Sequence, residues 1–443
     1  MNREIFRLAL PSIFSNLTVP LLGLVDVAIT GHLGDASYIG AIALGGMIFN
    51  LLYWSFGFLR MGTSGMTAQA FGSGDKYRQM QILVQAVIVG LAIASVILLF
   101  KRGILELSLF LIDAPQDIER YTAIYFNIVI WGAPALLSIY GFKGWFVGMQ
   151  NTKYTMYIAI FINVVNIMAS LLFVYGLDMK IEGVALGTLV AQYSGVLLSV
   201  ILWKFGYKGY RLAMAADRSL FAGNGFGKFF RVNSAIFFRT LCLISVTTFF
   251  TWAGGKQGET ILAVNTLLMQ FFTVFSYILD GFAYAGEALA GRFMGEGNPL
   301  LLRRTVRMLF LWGTVVMSFF TLVYMLWGNT FLSVLTDDRE VLRRAGEYFY
   351  WVLSVPICGY AAFMWDGILI GITAAKHMFA AMLVAALVFF SVFFLPPFLC
   401  DAGDPVSIWT GTFDNHRLWF AFLCYLLTRS IVQTIWPGRR LIR

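Results

Sequence analysis

The sequence predicts an all-α integral membrane protein with twelve transmembrane helices in two six-helix lobes, and three observations support this prediction. Of the 443 residues, 59% are hydrophobic and only 12% are charged, and the mean hydropathy is +0.77. Soluble domains contain roughly 45–50% apolar residues. The chain also contains twelve long apolar stretches, and its halves repeat short motifs at a constant spacing. Together these features favour a secondary transporter.

The twelve spans follow from the thickness of a bilayer, whose hydrocarbon layer of about 30 Å requires roughly 20 apolar residues per helix. The amino-terminal lobe, residues 1–204, has predicted spans at residues 6–30, 37–70, 80–100, 121–146, 155–176 and 183–204. A polar, basic segment at residues 205–228 is predicted to link the lobes in the cytoplasm. The carboxy-terminal lobe, residues 229–443, has predicted spans at residues 229–252, 259–293, 304–327, 345–370, 377–398 and 416–436.

Two pairs of motifs indicate an internal repeat. The string Gly72-Ser73-Gly74-Asp75 matches Gly295-Glu296-Gly297-Asn298, and the segment 144–148 with Lys153 matches the segment 367–371 with Lys376. Both pairs have the same offset in residue number, since 295 − 72 and 367 − 144 both equal 223. Because the repeat contains an even number of helices, the lobes share one orientation. We therefore expect a pseudo-two-fold axis along the membrane normal, with a cleft between the lobes.

The positions of basic residues predict the orientation of the chain. Lys and Arg collect in every second gap between spans, beginning with Arg3 and Arg7 and ending with Arg439 and Arg440. Since cytoplasmic loops carry an excess of Lys and Arg, both termini are predicted to be cytoplasmic in a multi-pass inner-membrane protein. The net charge of +9 is therefore a topology signal and does not indicate nucleic-acid binding.

The four cysteines do not form a metal or disulfide pattern, because Cys242, Cys358, Cys400 and Cys424 are scattered among apolar residues. We expect no metal site and no cofactor. The first span is too long for a cleavable signal peptide, and we expect it to remain in the protein.

Asp26 is the ionisable residue that points most directly to a function. It lies inside the first span with no Lys or Arg within one helical turn. An ionisable group in a bilayer costs at least a few kcal/mol, so it needs either a partner or a function. A lone buried carboxyl group favours its protonated form, which suits a carboxyl group that loads and releases a proton. The alternative is a structural acid hydrogen-bonded to a neighbouring helix.

Proline and neutral polar residues accompany this acid. Pro11 begins the apolar part of the first span and Pro20 lies inside it, where an internal proline is expected to bend the helix. Helical spacing places three polar residues on one face of the fifth span and two on one face of the sixth, which makes them candidate partners of Asp26. They are Asn163, Asn166 and Ser170, and Thr188 and Gln192. Their alternative role is polar contact between helices.

The carboxy-terminal lobe contains a second group of buried polar residues. Asp280, Tyr284 and Glu287 share one face of the eighth span, while Arg239 lies in the seventh and Asp366 in the tenth. With Gln192, these residues could form a site for a cationic substrate or a second proton site. Alternatively, Arg239 could neutralise one of the acids as a structural ion pair. The sequence leaves both interpretations open.

Several of these motifs together resemble the multidrug and toxic compound extrusion (MATE) family, most closely its DinF-like branch. The resemblance rests on the opening 8–11, the Leu24-Val25-Asp26 string with 31–35, the 68–72 helix end, the 163–166 segment and the 279–284 string with Glu287. It implies a V-shaped exporter that exchanges H⁺ or Na⁺ for amphipathic, often cationic drugs by alternating access.

The resemblance also assigns roles to individual residues. It implies that Asp26 is the cation or proton site, that Pro11 bends the first helix, and that Asn166 and Thr188 are polar partners of the acid. Ser170 stands where related proteins often have a second acid. A site with one fewer carboxylate binds Na⁺ less well, and this difference favours H⁺ as the coupling ion.

Two other functions are alternatives to export. A lipid-linked sugar flippase would need a basic cleft for a pyrophosphate, and the spans offer at most Arg60, Lys143 and Arg239. A membrane-embedded transferase would need a catalytic cluster, yet the three histidines lie near span ends without one. The sequence therefore predicts a monomeric, non-enzymatic transporter whose partners are small organic molecules and membrane lipid.

Overall fold

The computed structural model describes residues 1–31, 36–112, 115–210, 225–394 and 413–438, and within these ranges it contains helices and turns but no strand. The amino-terminal lobe comprises α1 (Asn2–Gly31), α2 (Ala36–Ser55), α3 (Phe58–Gly72), α4 (Lys76–Leu99), α5 (Lys101–Ile112), α6 (Gln116–Val129), α7 (Ala133–Gly148), α8 (Thr152–Leu171) and α9 (Ile181–Gly206). The carboxy-terminal lobe comprises α10 (Gly225–Lys256), α11 (Glu259–Gly295), α12 (Pro299–Leu335), α13 (Arg339–Gly371), α14 (Ala375–Phe394) and α15 (Phe413–Gln433).

These helices account for the twelve predicted spans. In the described ranges, eleven helical segments are long and apolar enough to cross a membrane, with α2 and α3 forming one segment and α6 and α7 another. The helix α1 is the twelfth; its 30 residues extend about 45 Å, which exceeds the hydrocarbon thickness. The twelve-helix prediction is confirmed.

One helix was not predicted. The twelve residues of α5 are too few to cross a bilayer, and none of them is buried. Three of its large apolar side chains are exposed: Leu107, Leu111 and Phe110, the last at 83%. The criterion of roughly 20 apolar residues per span does not detect α5, because this helix is too short.

Some sequence predictions lie outside the described residues. They are the 32–35 part of the first-helix motif, Cys400, the 395–398 end of the eleventh span, most of the 205–228 linker and the basic carboxy-terminal residues. The boundaries of the two lobes stay predictions.

The internal repeat is visible in the backbone. The turns that follow α3 and α11 both use a glycine with positive φ, Gly74 at 71° and Gly297 at 65°. The turns that follow α7 and α13 use Gln150 at 61° and Thr373 at 56°. Both pairs have the offset of 223 found in the sequence motifs. Positive φ is uncommon for non-glycine residues, so the agreement is specific, and the two lobes share turn geometry as well as sequence.

Close helix packing within each lobe is repeated in the same way. A Cβ atom placed on Gly144 of α7 would lie 3.1 Å from the carbonyl carbon of Arg60, and one on Gly367 of α13 would lie 2.7 Å from that of Ala283. Arg60 and Ala283 are themselves counterparts at the same offset. Small residues let helix backbones approach in a membrane, where apolar surface alone does not drive association. Glycine is required at both crossings.

Reciprocal contacts between the lobes locate the pseudo-two-fold axis. A Cβ atom on Gly72 would lie 2.8 Å from the carbonyl carbon of Arg292, and one on Gly295 would lie 2.8 Å from that of Gln69. At the repeat offset of 223, Gly295 is the counterpart of Gly72, and Arg292 is the counterpart of Gln69. A contact in which the two partners exchange places is the mark of a two-fold axis. The axis therefore passes between the ends of α3 and α11, where the lobes touch.

Substituting Gly295 by Ala tests this lobe contact. The added methyl group would overlap the Gln69 backbone, and overpacking of this kind costs roughly 1–3 kcal/mol. We expect a lower midpoint of thermal unfolding in detergent. The matched control is Gly103→Ala, because a Cβ atom on Gly103 meets nothing within 4 Å. Equal midpoints for the two variants would contradict the close approach of the lobes.

Candidate ion and substrate sites

The carboxyl group of Asp26 is buried near the end of α1. The residue is 6% exposed, and its Oδ1 atom has no hydrogen-bond partner among the described residues. No ion pair within the described ranges involves it. The Thr30 hydroxyl donates to the Asp26 backbone carbonyl at 2.8 Å rather than to its carboxyl group. Asp26 is therefore an acid without a counter-charge in the part of the chain that the structure describes.

Three further helices of this lobe carry a connected group of polar side chains, and one of these side chains, Tyr125, interacts electrostatically with Asp26. The amide of Asn166 on α8 donates to the Thr188 hydroxyl on α9 at 3.0 Å, and that hydroxyl donates to the Val184 carbonyl at 3.1 Å. The phenol of Tyr125 on α6 is within hydrogen-bonding reach of Thr188 and within electrostatic range of Asp26. Tyr125 was not predicted from the sequence, where a single tyrosine in a span carries no signal. The group consists of an acid, an amide, a hydroxyl and a phenol, all neutral except the acid.

The other predicted partners of Asp26 have different surroundings. Asn163 donates to the Thr18 carbonyl of α1 at 2.8 Å, so it connects α8 to α1. Ser170 packs against Gly187, and Gln192 packs against Gly132. The Ser170 Oγ and Gln192 Oε1 atoms are buried without a described hydrogen-bond partner. No described contact joins these three side chains to Asp26, and their role in ion binding stays a prediction.

The helix α1 continues through both prolines and is attached to both lobes. Pro11 is buried and Pro20 is exposed. Asn16 donates to the Tyr277 carbonyl of the carboxy-terminal lobe at 3.2 Å, while Asn163 holds the Thr18 carbonyl from the amino-terminal lobe. Both attachments precede Pro20. Asp26 follows Pro20, so the segment that carries the acid lies beyond these two attachments.

A buried ion pair crosses from one lobe to the other. The Arg60 guanidinium donates to both carboxylate oxygens of Glu287, at 3.0 and 3.2 Å. The Ser64 hydroxyl also donates to Glu287. Arg60 further stacks on the Tyr284 ring, 4.2 Å from its centroid. Bidentate geometry and a third donor are the conditions under which a buried pair is stable. The structure therefore gives Tyr284 and Glu287 a described partner in Arg60.

Asp366 occupies a second buried ion cluster. Arg239 and Arg429 both donate to its Oδ2 atom, and Gln433 donates to its Oδ1 atom at 2.8 Å. Asp366 is thus a described partner of Arg239, as the ion-pair interpretation of Arg239 requires. The prediction that the spans hold at most three basic residues was wrong, because Arg429 is buried in the twelfth span. Arg429, like Asp26, is a lone ionisable residue inside an apolar span, and the sequence alone identifies it by that criterion.

Asp280 and Lys143 are the remaining charged groups near the lobe interface. Asp280 is half-buried on α11 and interacts electrostatically with four charged groups: Arg60, Asp366, Arg239 and Arg429. Lys143 is half-buried on α7, with Arg60 as its charged neighbour. Neither forms an ion pair among the described residues. Asp280 therefore lies among charged groups of both signs without a described ion-pair partner.

Among the described residues, no group of three or more His, Cys, Asp or Glu side chains converges on a point. The single carboxyl group of Asp26 with neutral neighbours is the strongest candidate for a monovalent ion or a proton in the described amino-terminal lobe.

Breaking the interlobe ion pair should destabilise the protein. Removing one partner of a buried pair leaves an uncompensated charge and costs roughly 3–5 kcal/mol. We expect Glu287→Gln to lower the midpoint of unfolding in detergent, and Arg60→Met combined with Glu287→Met to restore much of the loss. The control is Glu340→Gln, which removes an acid from the exposed pair with Arg343. Equal effects of the two Gln substitutions would show that the interlobe pair is solvated.

Sequence comparison places relatives along nearly the whole chain. The MatE family profile matches residues 11–172 and 235–395. The DNA damage-inducible protein F of Escherichia coli is 32% identical over 436 residues, covering 98% of this chain and 92% of its own. A probable multidrug resistance protein NorM of Idiomarina loihiensis is 23% identical over 358 residues, covering 77% of this chain and 74% of its own.

Solved structures show the same fold. A MATE structure in the bent conformation aligns with a TM-score of 0.84 at 18% identity, covering 99% of this chain and 95% of the other. The bent form of the Vibrio cholerae MATE transporter VcmN aligns with a TM-score of 0.83 at 16% identity, covering 99% and 96%. At these identities the comparisons establish the fold alone.

Proposed function

Since the chain belongs to the MatE family of multidrug and toxic compound efflux transporters, we propose that it exchanges H⁺ for amphipathic, often cationic organic compounds by alternating access. The observation that carries this proposal is the Asp26 carboxyl group, buried without a described counter-charge in the amino-terminal lobe. Such a group can be neutral in one conformation and ionised in another if its hydration changes. The protein is a transporter and not an enzyme. Its proposed partners are small organic molecules and membrane lipid.

The surroundings of Asp26 favour H⁺ over Na⁺ as the coupling ion. A cation such as Na⁺ requires several oxygen ligands, preferably with more than one negative charge. The described site offers one carboxylate, and Ser170 stands at the position where a second acid would be expected. The Thr188 hydroxyl oxygen accepts from the Asn166 amide nitrogen, so Asn166 Oδ1 is the oxygen of this pair without a described partner. A proton needs only the one acid.

The position of α1 suggests how protonation is coupled to the lobes. This helix packs against α8 in one lobe and α11 in the other. The Asn16 and Thr18 contacts fix its first part, and Asp26 lies beyond Pro20. In the proposed cycle, protonation removes the charge of Asp26 and lets this end of α1 bend toward the amino-terminal lobe. Bending changes the surface that the cleft presents to an organic compound, and release of the proton reverses it.

The lobe contacts fit an outward-facing state if the basic ends of the spans are cytoplasmic. The lobes touch at the ends of α3 and α11, which are followed by the basic residues Lys76, Arg78, Arg303 and Arg304. Basic loops are retained in the cytoplasm. We therefore place this end on the cytoplasmic side of the inner membrane, with both termini there.

The flippase alternative is less well supported. Three basic residues of the interior are already paired. Arg60 is paired with Glu287, and Arg239 and Arg429 share Asp366. Among the described residues, this leaves Lys143 as the remaining basic group for a pyrophosphate. A single lysine would balance only part of that charge.

Dye export from proteoliposomes tests the coupling ion. Vesicles carrying a fluorescent cationic dye receive either an imposed pH gradient or an imposed Na⁺ gradient. We expect the pH gradient alone to drive dye movement, and Asp26→Asn to reduce this movement to the level of empty vesicles. Asp337→Asn, at an exposed position, is the control and should transport normally. A requirement for Na⁺, or full activity of Asp26→Asn, would refute the proposed coupling.

Replacing Pro11 by Ala tests whether α1 must bend. Alanine restores a backbone N–H that can bond to the Arg7 carbonyl and so stiffens the helix. We expect slower dye export with nearly unchanged dye binding, measured by fluorescence anisotropy. Pro299→Ala is the control, because Pro299 begins α12, where the N–H is not needed. Normal export by Pro11→Ala would show that this proline is not needed for the transport cycle.

A further inference from the structure

A polar cavity lies at the basic end of the amino-terminal lobe, away from Asp26. Its volume is about 380 Å³. It lies between the start of α1, the end of α3 and the turn that joins α7 to α8. The lining residues are Arg7, Phe71, Met149, Gln150, Asn151, Thr152, Lys153 and Tyr207. The mechanism proposed above uses none of these side chains.

Hydrogen-bond donors converge on this cavity from the start of α8. The first N–H groups of a helix have no intrahelical partner, and here the N-cap residue Asn151 makes no side-chain cap to them. Its amide instead donates to the Tyr207 hydroxyl at 3.4 Å. Thr152 is only 1% exposed, and its hydroxyl has no hydrogen-bond partner among the described residues. A buried donor of this kind indicates a missing acceptor.

Two cationic side chains complete the cavity. Arg7 of α1 and Lys153 of α8 both line it, and neither forms an ion pair within the described ranges. A helix N-terminus flanked by cations is suited to a phosphate group, since its N–H groups and dipole favour negative charge. The ligand chemistry is therefore that of a phosphate ester.

The equivalent corner of the other lobe, at the start of α14, lacks the side-chain donors. The repeat offset converts Asn151 and Thr152 into Ala374 and Ala375, and converts Arg7 into Phe230. Only Lys153 has a basic counterpart, Lys376. One basic residue near the turn is thus common to both lobes, as expected for a topology signal, whereas the side-chain hydrogen-bond donors occur in one lobe. This asymmetry separates a binding site from general attraction to the membrane.

Exposed apolar side chains continue from both cations along the helices. On α1, Leu10 and Phe14 follow Arg7 at helical spacing and are 48% and 58% exposed. On α8, Tyr157 and Val164 follow Lys153 in the same way and are 47% and 46% exposed. These two helices pack against each other. A molecule with its phosphate in the cavity would find apolar surface for acyl chains directly beyond it.

We propose that this cavity binds the head-group phosphate of an anionic phospholipid. The head group contacts the start of α8, Arg7 and Lys153, and the acyl chains lie along the exposed faces of α1 and α8. The lipid therefore connects α1 to α8 at the end of the membrane where the lobes meet. Binding at this site is independent of the coupling ion and of the transported compound.

Binding of soluble short-chain phosphatidylglycerol tests the proposal. The full-length protein in non-ionic detergent is titrated with dihexanoyl phosphatidylglycerol by calorimetry, and with inorganic phosphate and dihexanoyl phosphatidylcholine in parallel. Each cation near an anionic lipid surface contributes on the order of 1 kcal/mol, which is roughly a fivefold change in affinity. We expect Arg7→Ala and Lys153→Ala each to weaken phosphatidylglycerol binding about fivefold.

Three comparisons make the test decisive. Lys376→Ala, the counterpart in the other lobe, should leave the affinity unchanged; an equal loss in this variant would show that general charge attraction is responsible and would overturn the site. Thr152→Val should weaken binding while Thr152→Ser should not. Inorganic phosphate that binds as tightly as phosphatidylglycerol would identify free phosphate as the ligand and overturn the lipid assignment. Equal affinity for phosphatidylcholine would exclude recognition of an anion.

Discussion

The cost of placing a charge in a hydrocarbon layer governs the interior of this protein. Every ionisable group inside a span must be paired, kept neutral, or given access to water. Arg60 and Glu287 pair across the lobes, while Asp366 is shared by Arg239 and Arg429. These clusters hold their helices at defined positions, because moving one member would leave the other uncompensated. Against this background, the lack of a described partner for Asp26 is informative.

Packing of the backbone is the second requirement, and it depends on glycine. Gly144 and Gly367 allow α7 and α13 to contact α3 and α11 within each lobe, while Gly72 and Gly295 allow the lobes to meet. In lipid, association relies on close van der Waals contact rather than on removal of apolar surface from water. Close packing at glycine therefore occurs both inside each lobe and where the lobes meet.

Most of the fold could be predicted from the sequence, because apolar length and the internal repeat are strong signals. Helix α5 was missed because twelve residues give no signal for a span. The site was predicted less completely. A lone acid such as Asp26 can be recognised in a sequence, but the pairing of Arg60 with Glu287, far apart in the chain, depends on how two helices cross. Tyr125 was missed because tyrosine is common in spans and its role depends on its neighbours. Arg429 could have been found, since it is a lone cation in an apolar run.

The contact between Ser64 and Glu287 has a consequence for how the two halves could diverge. The offset between them is 223, so each is the counterpart of the other, and they meet because they lie on the axis that relates the lobes. In a perfectly symmetric ancestor, any side chain at this position would have faced an identical copy of itself. Two carboxylates there would repel each other in a medium of low dielectric constant. An acid at this position is therefore compatible with only one of the two copies, and gaining it required the duplicated halves to become different.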